Sequence, residues 1–139
     1  RVKEKSSFNP CKSISIDNNI DDYIKKEKEY DFSNQLLSII DSMNLKDVDA
    51  YKQSHVSKAV FSNIRSNKNY RPDKKTVISF CFGLKLDLKA SNKLLKSAGY
   101  VLSGSSIFDL VCRYFLEREV FDMFALNEAL FDRTNRTLF

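Results

Sequence analysis

The chain has 139 residues, with 23 Lys or Arg and 18 Asp or Glu, so its formal net charge is +5. This length suits one globular domain and is too short for two, and because only three glycines and two prolines interrupt it, we predict an all-α fold. No apolar stretch reaches the length of a membrane span and no signal peptide is visible, so we expect a cytoplasmic protein without a membrane partner.

The first thirty residues differ from the rest of the chain. Residues 1–30 carry seven basic and six acidic residues and show weak periodicity, so we interpret them as a charged N-terminal arm or linker. The segment from Asp21 to Glu29 is either a solvated helix or a mobile lead-in. The chain begins at Arg1 rather than at methionine, so we expect a fragment or processed product of a longer protein, with a preceding N-terminal domain missing.

Hydrophobic periodicity then predicts seven helices. We expect them at about residues 32–43, 47–53, 57–65, 74–84, 89–98, 107–117 and 121–131. Four of them begin after a side chain that can accept a hydrogen bond from an unpaired first-turn N–H, namely Asp31, Ser57, Asp73 and either Ser105 or Ser106. Asn44, Asn67 and Gly99 stand where helices must end, and asparagine and glycine both tolerate the left-handed conformation common there.

The third of these helices has two chemically distinct sides. Val60, Phe61 and Ile64 share one side and are expected to pack, while the other side is small, polar or basic. That outward side carries Lys58, Ala59, Ser62 and Asn63. Short side chains let a helix approach the DNA major groove, and longer polar ones around them can contact base edges.

A basic cluster follows the outward helix. Residues 31–100 carry twelve basic and six acidic residues, whereas residues 101–139 carry four and six. Between Lys58 and Lys75 there are six basic residues and one acidic residue, so phosphates are the expected partner. If about five phosphates are neutralised, the logarithm of affinity should fall against the logarithm of salt with a slope of about −4 to −5.

The stretch 47–88 resembles the phage-repressor and Cro-like family, often called XRE-type helix-turn-helix domains. The match runs without a gap through the turn, the outward helix, Arg71-Pro72 and the pattern TVISFCFGLKLDL. The strings FSNIRSNKNYRP, LLKSAGYVLS and NEALF also look like a bacterial helix-turn-helix module found at the C-terminal ends of longer proteins, some with a macro-type ADP-ribose-binding domain. The resemblance implies a repressor-like five-helix core at 31–99 and two more helices at 100–139, together one domain at 31–139.

The same resemblance implies a sequence-specific transcriptional regulator of the repressor type that binds double-stranded DNA. The residues implied in DNA contact are Ser57, Lys58, Ala59, Ser62, Asn63, Arg65, Lys68, Arg71, Lys74 and Lys75. The pattern differs from the family at the helix before the turn, where Asp47 and Asp49 replace a neutral residue and would repel DNA. Arg65, which stands where an acid is usual, partly offsets them. Tyr70 is expected to cover the core.

Other chemistries find few residues to support them. The three cysteines, Cys11, Cys81 and Cys112, lack CxxC spacing, so we expect small buried side chains in a reducing compartment, without a disulfide or metal site. His55, the single histidine, has no neighbouring ligand or catalytic partner. Gly-rich phosphate loops and nucleophile elbows are absent from the sequence, so we predict neither enzymatic activity nor a cofactor.

The last two helices suggest an alternative. Their aromatic residues Phe115, Phe121, Phe124 and Phe131 exceed what two short helices can bury between themselves, which favours a dimer or partner surface. A homodimer would provide the two-fold arrangement that paired half-sites require. The alternative function is a protein-interaction or regulatory module with a repressor-like fold, appended to a larger bacterial protein.

Overall fold

A computed structural model describes residues 10–28 and 31–139, and the side chains only from residue 19 onward. Within these ranges all regular structure is helical, which confirms the predicted all-α class. The eight helices are α1 (Pro10–Glu27), α2 (Phe32–Ser42), α3 (Asp47–Gln53), α4 (Lys58–Ser66), α5 (Lys74–Gly83), α6 (Leu88–Ser97), α7 (Ile107–Glu117) and α8 (Met123–Thr134). None of the helices in the described part is long and apolar enough to cross a membrane.

Helix α1 lies where the sequence predicts an arm or linker. It begins at Pro10, well before Asp21, where the predicted solvated helix starts. Proline fits the first position of a helix, because the N–H that it lacks would have no partner within the helix there. Its described side chains, from Asn19 to Glu27, are all exposed. The solvated-helix interpretation is therefore correct from Asp21 to Glu27, and the same helix includes the part of the predicted arm or linker from Pro10 onward.

The other seven helices match the predicted ones, with ends that differ by up to three residues. Asp31, Ser57, Asp73 and Ser106 each accept a hydrogen bond from the backbone N–H three residues ahead, so the predicted caps are confirmed. Each such cap contributes about 1 kcal/mol. The largest differences occur in α8, which starts at Met123 because the unpredicted cap Asp122 precedes it.

Five helices end with the same backbone turn. A left-handed residue is followed by an apolar residue whose N–H bonds to the carbonyl five positions earlier, the Schellman arrangement. The left-handed residues are Asn44, His55, Lys85, Gly99 and Glu119. The prediction for Asn67 is wrong, because its φ is −128° and its side-chain oxygen instead accepts from the backbone N–H of Asn69.

Helix α5 is the centre of the core. Every residue from Val77 to Leu84 is buried, as expected for a helix that is apolar nearly all round. It packs against α3 and α6, while α2 covers α4 and α6, and α7 joins α6 to α8. The rings of Phe32 and Phe61 approach Phe80 of α5, with centroid distances of 6.5 and 6.2 Å.

Helices α3 and α5 meet without space for a side chain between them. A Cβ atom placed on Gly83 would lie 2.0 Å from the Ser54 Oγ and 2.5 Å from the Ser54 Cα. The Gln53 Nε2 donates to the Gly83 carbonyl at 2.9 Å. The glycine at the end of α5 therefore fixes where α3 ends and where the following turn begins.

Candidate nucleic-acid interface

Helices α3 and α4 are joined by the four residues from Ser54 to Ser57. Ser54 is fully buried against Gly83, and His55 adopts the left-handed conformation with φ of 58°. Ser57 is extended, and its side-chain oxygen accepts from the Val60 N–H at 3.1 Å. The predicted arrangement of two short helices and a tight turn is therefore present.

Helix α4 presents the predicted polar side to solvent. Phe61 and Ile64 are buried, and Val60 is half-buried. The opposite side is exposed along its length, comprising Ser57, Lys58, Ala59, Ser62 and Asn63. The four residues predicted to contact bases thus lie together with the cap Ser57 at the exposed beginning and outer face of one helix.

Arg65 forms an ion pair with Asp47 across the two helices. The Arg65 Nη2 lies 2.9 Å from the Asp47 Oδ1, and both side chains are close to half exposed. Arg65 also lies over the Phe61 ring, 5.9 Å from its centroid. Of the two acids predicted to repel DNA, Asp47 is thus paired with Arg65, whereas Asp49 is exposed.

Lys74 forms an ion pair with a carboxylate 35 residues further along the chain. Its Nζ lies 2.6 Å from the Oδ2 of Asp109, whose side chain is 5% exposed. The same oxygen accepts from the Ser103 N–H at 2.8 Å. Lys74 therefore joins the start of α5 to α7, and this geometry favours a structural role over the predicted phosphate contact.

The other predicted cations make no ion pair with another described residue. Lys58 and Lys68 are exposed. The Arg71 guanidinium lies 5.3 Å from the centroid of the Tyr100 ring, and the Lys75 Nζ lies 5.5 Å from the centroid of the Phe108 ring. Four cations are therefore uncommitted to an acid within the described part of the chain.

The chain has no match among protein-family models, curated proteins or solved structures.

Cys81 and Cys112 lie in the hydrophobic core, and Tyr70 packs against it. Tyr70 is half-buried against the core, as predicted. Burial raises the pKa of both the Cys81 and Cys112 thiols to about 12, so at neutral pH both are protonated and poor nucleophiles or ligands. The side chain of Cys11 lies outside the described residues. Within them, no cluster of three His, Cys, Asp or Glu side chains could hold a metal ion.

The four predicted partner-surface aromatics do not share one environment. Phe115 is half-buried against the core, as is Phe121, whose ring lies 6.3 Å from that of Phe82. Phe131 is 53% exposed and Phe124 is 69% exposed. The structure therefore divides the four into a pair packed on the core and a pair that faces solvent.

Two aromatic and apolar features were not predicted from the sequence. The ring of His55 stacks on that of Phe139 at 4.0 Å between centroids, and Phe124 meets both rings edge-on. On α7 a separate apolar row is exposed, formed by Ile107, Leu110 and Tyr114. The exposed row could have been predicted, because the apolar residues of α7 cover an unusually wide part of the helix. The ring cluster could not, because His55 and Phe139 are 84 positions apart in the sequence.

Proposed function

We propose that the protein is a DNA-binding domain with a repressor-like helix-turn-helix, formed by α3 and α4. The observation that carries the proposal is the exposure of the small, polar and basic side of α4 after a four-residue turn, while the opposite side is buried. An α-helix with its side chains is about 10–12 Å wide and fits the major groove, which is about 12 Å wide. Helix α4 is accordingly the recognition helix.

Each exposed residue of α4 has a role in this docking. Ala59 and Ser62 lie where close approach to the bases requires short side chains. Lys58 and Asn63 provide the donors and acceptors that distinguish base edges in the major groove. Replacing Asn63 by alanine should therefore relax the preference for one base pair in sites selected from a random duplex library, while leaving binding to unselected duplex nearly unchanged.

Phosphate contacts come from Lys68, Arg71 and Lys75, the predicted phosphate-binding cations that have no acidic partner among the described residues. Three neutralised phosphates correspond to a salt slope of about −2.7. This is shallower than the slope expected from sequence, because Lys74 is occupied by Asp109. The predicted slope of log affinity against log salt thus depends on how many of these cations have no acidic partner in the fold.

Titration of a labelled random duplex between low and moderate salt tests the proposal. We expect a linear plot of log affinity against log salt with a slope close to the predicted one. Lys58→Glu combined with Arg71→Glu should abolish binding at all but the lowest salt. The control is Lys93→Glu, which makes one like change of charge at an exposed position of α6 beside α2. Absence of binding by the unmodified protein even at low salt would refute the proposal.

A second candidate function is protein interaction through the C-terminal helices, and the exposed row on α7 favours it. Ile107, Leu110 and Tyr114 are 58%, 42% and 54% exposed. They border a groove of about 420 Å³ between α7 and α8. In this candidate the groove and the exposed row pack against a second copy, and the resulting homodimer presents two recognition helices.

The molecular mass in solution tests this second candidate. Sedimentation of the protein across a range of concentrations should show a dimer, and Leu110→Asp should convert it to a monomer that keeps its helical content. Phe131→Asp, on the neighbouring helix, is a comparison variant for the predicted aromatic surface. A monomer at all concentrations would remove the homodimer and leave a single recognition helix per molecule.

A further inference from the structure

Arg71 is held against the C-terminal end of α6. Its guanidinium carbon lies 5.3 Å from the centroid of the Tyr100 ring. The phenol oxygen of Tyr100 donates a hydrogen bond to the carbonyl of Pro72 at 2.8 Å, so the ring is tied to the residue next to Arg71. A residue that follows α4 is thus fixed by residues about thirty positions further along the chain.

Gly99 provides the space that this contact needs. Its φ is 84°, and a Cβ atom on it would lie 3.0 Å from the Arg71 Nη2. A side chain at this position would therefore press on the guanidinium as well as strain the backbone. The Tyr100 N–H bonds to the Leu95 carbonyl at 2.9 Å, which closes the end of α6 and fixes the ring.

The hydrogen-bond donors of the guanidinium determine what it can bind. Its five N–H donors lie in one plane as a rigid fork, with Nη2 next to Gly99. No described acceptor is hydrogen-bonded to these donors, and Arg71 is exposed. A fixed cation with free in-plane donors matches an oxoanion, which it can bind with two parallel hydrogen bonds.

We propose that Arg71, Tyr100 and Gly99 form a preorganised binding site for one backbone phosphodiester of duplex DNA. Arg71 donates the hydrogen bonds, and Tyr100 is a positioning residue that acts through Arg71. Gly99 leaves the space that the guanidinium occupies. The site rests on the proposed function, and it adds two residues at the end of α6 that position Arg71, for which the sequence predicts only the contact itself.

Preorganisation has a measurable size. An exposed cation–π contact contributes about 0.5–1 kcal/mol, which corresponds to about a two- to fivefold change in affinity. Loss of Arg71 itself removes charge-assisted hydrogen bonds and should weaken binding about tenfold. It should also make the salt slope shallower by about one phosphate, or about 0.9.

A double-mutant cycle on a random duplex tests the role of Tyr100. The variants are Arg71→Ala, Tyr100→Leu and the two combined, with Tyr100→Phe as the conservative control that keeps the ring. We expect Tyr100→Leu to weaken binding about two- to fivefold in the unmodified protein. In the Arg71→Ala protein the same change should have no effect, because nothing remains for Tyr100 to position. Tyr100→Phe should bind within about twofold of the unmodified protein, because it retains the cation–π contact.

Several results would overturn this site. Equal weakening by Tyr100→Leu with and without Arg71 would show that the ring only supports the fold, and thermal melting of each variant measures that contribution. Displacement of the duplex by inorganic phosphate at constant ionic strength, in the unmodified protein but not in Arg71→Ala, would indicate a site for a free oxoanion instead. Duplex binding that is unchanged by Arg71→Ala would remove this site alone. No duplex binding at all would remove the proposed function with it.

Discussion

Replacing Gly83 by alanine should destabilise the protein, although helix propensity predicts the opposite sign. Alanine is favoured over glycine inside a helix by up to about 1 kcal/mol. Gly83 is the last residue of α5, so this gain is at its smallest here. The sign of the change is therefore decided by the space next to Gly83.

The structure gives the size of the opposing effect. The new Cβ would lie 2.5 Å from the Ser54 Cα, whereas ordinary contacts begin at 3.4 Å, so backbone must move by about 1 Å. Overpacking of this kind costs about 1–3 kcal/mol. Displacing α3 also weakens the bond from Gln53 to the Gly83 carbonyl, which contributes about 1 kcal/mol. We expect a net loss of about 1–3 kcal/mol in the free energy of unfolding.

Urea unfolding followed by far-ultraviolet circular dichroism measures this loss. Gly104→Ala is the matched control, because a Cβ atom at Gly104 meets nothing within 4 Å, and we expect its stability to change by less than about 0.5 kcal/mol. Adding Ser54→Gly should rescue Gly83→Ala only in part, since the Ser54 Cα remains. If Gly83→Ala is as stable as the unmodified protein, the close crossing of α3 and α5 is wrong.

Three further predictions concern the rest of the fold. Lys85→Gly should raise the free energy of unfolding in urea by about 1 kcal/mol, because Lys85 has φ of 55°; an unchanged or lower value would contradict the left-handed turn. Asp109→Asn should lower the free energy of unfolding by about 1–3 kcal/mol, because the buried carboxylate accepts hydrogen bonds from a charged donor and from a backbone N–H. A loss of less than about 0.5 kcal/mol would show that the pair contributes little. In a Cys11→Ser background, Cys81 and Cys112 should react with a thiol reagent at pH 8 only after unfolding. Because their folded pKa values are about 12 against 9.0 for the free thiol, stability should fall as pH rises above about 9, where the unfolded state loses protons that the folded state keeps; a melting temperature that is flat to pH 10 would contradict this.

Features that depend on neighbouring residues could be predicted before the structure was known. Hydrophobic periodicity predicts the seven helices. The four caps are predicted because each capping side chain precedes, by three residues, the backbone N–H from which it accepts a hydrogen bond. The two sides of α4 also follow from spacing alone. These features were predicted correctly because the backbone conformation and the residues that produce it lie within one or two helical turns.

Which charged side chains are free depends instead on contacts between distant parts of the chain. Lys74 and Lys75 are adjacent and equal in formal charge, yet Lys74 is paired with Asp109, 35 residues away, and Lys75 lies over a ring. Arg65 is likewise paired with Asp47, and Arg71 is fixed by Tyr100. The physical reason is that a cation binds whichever acid or ring the packing of distant helices brings within about 4–6 Å. That distance cannot be predicted from hydrophobic periodicity or from the order of charges along the chain.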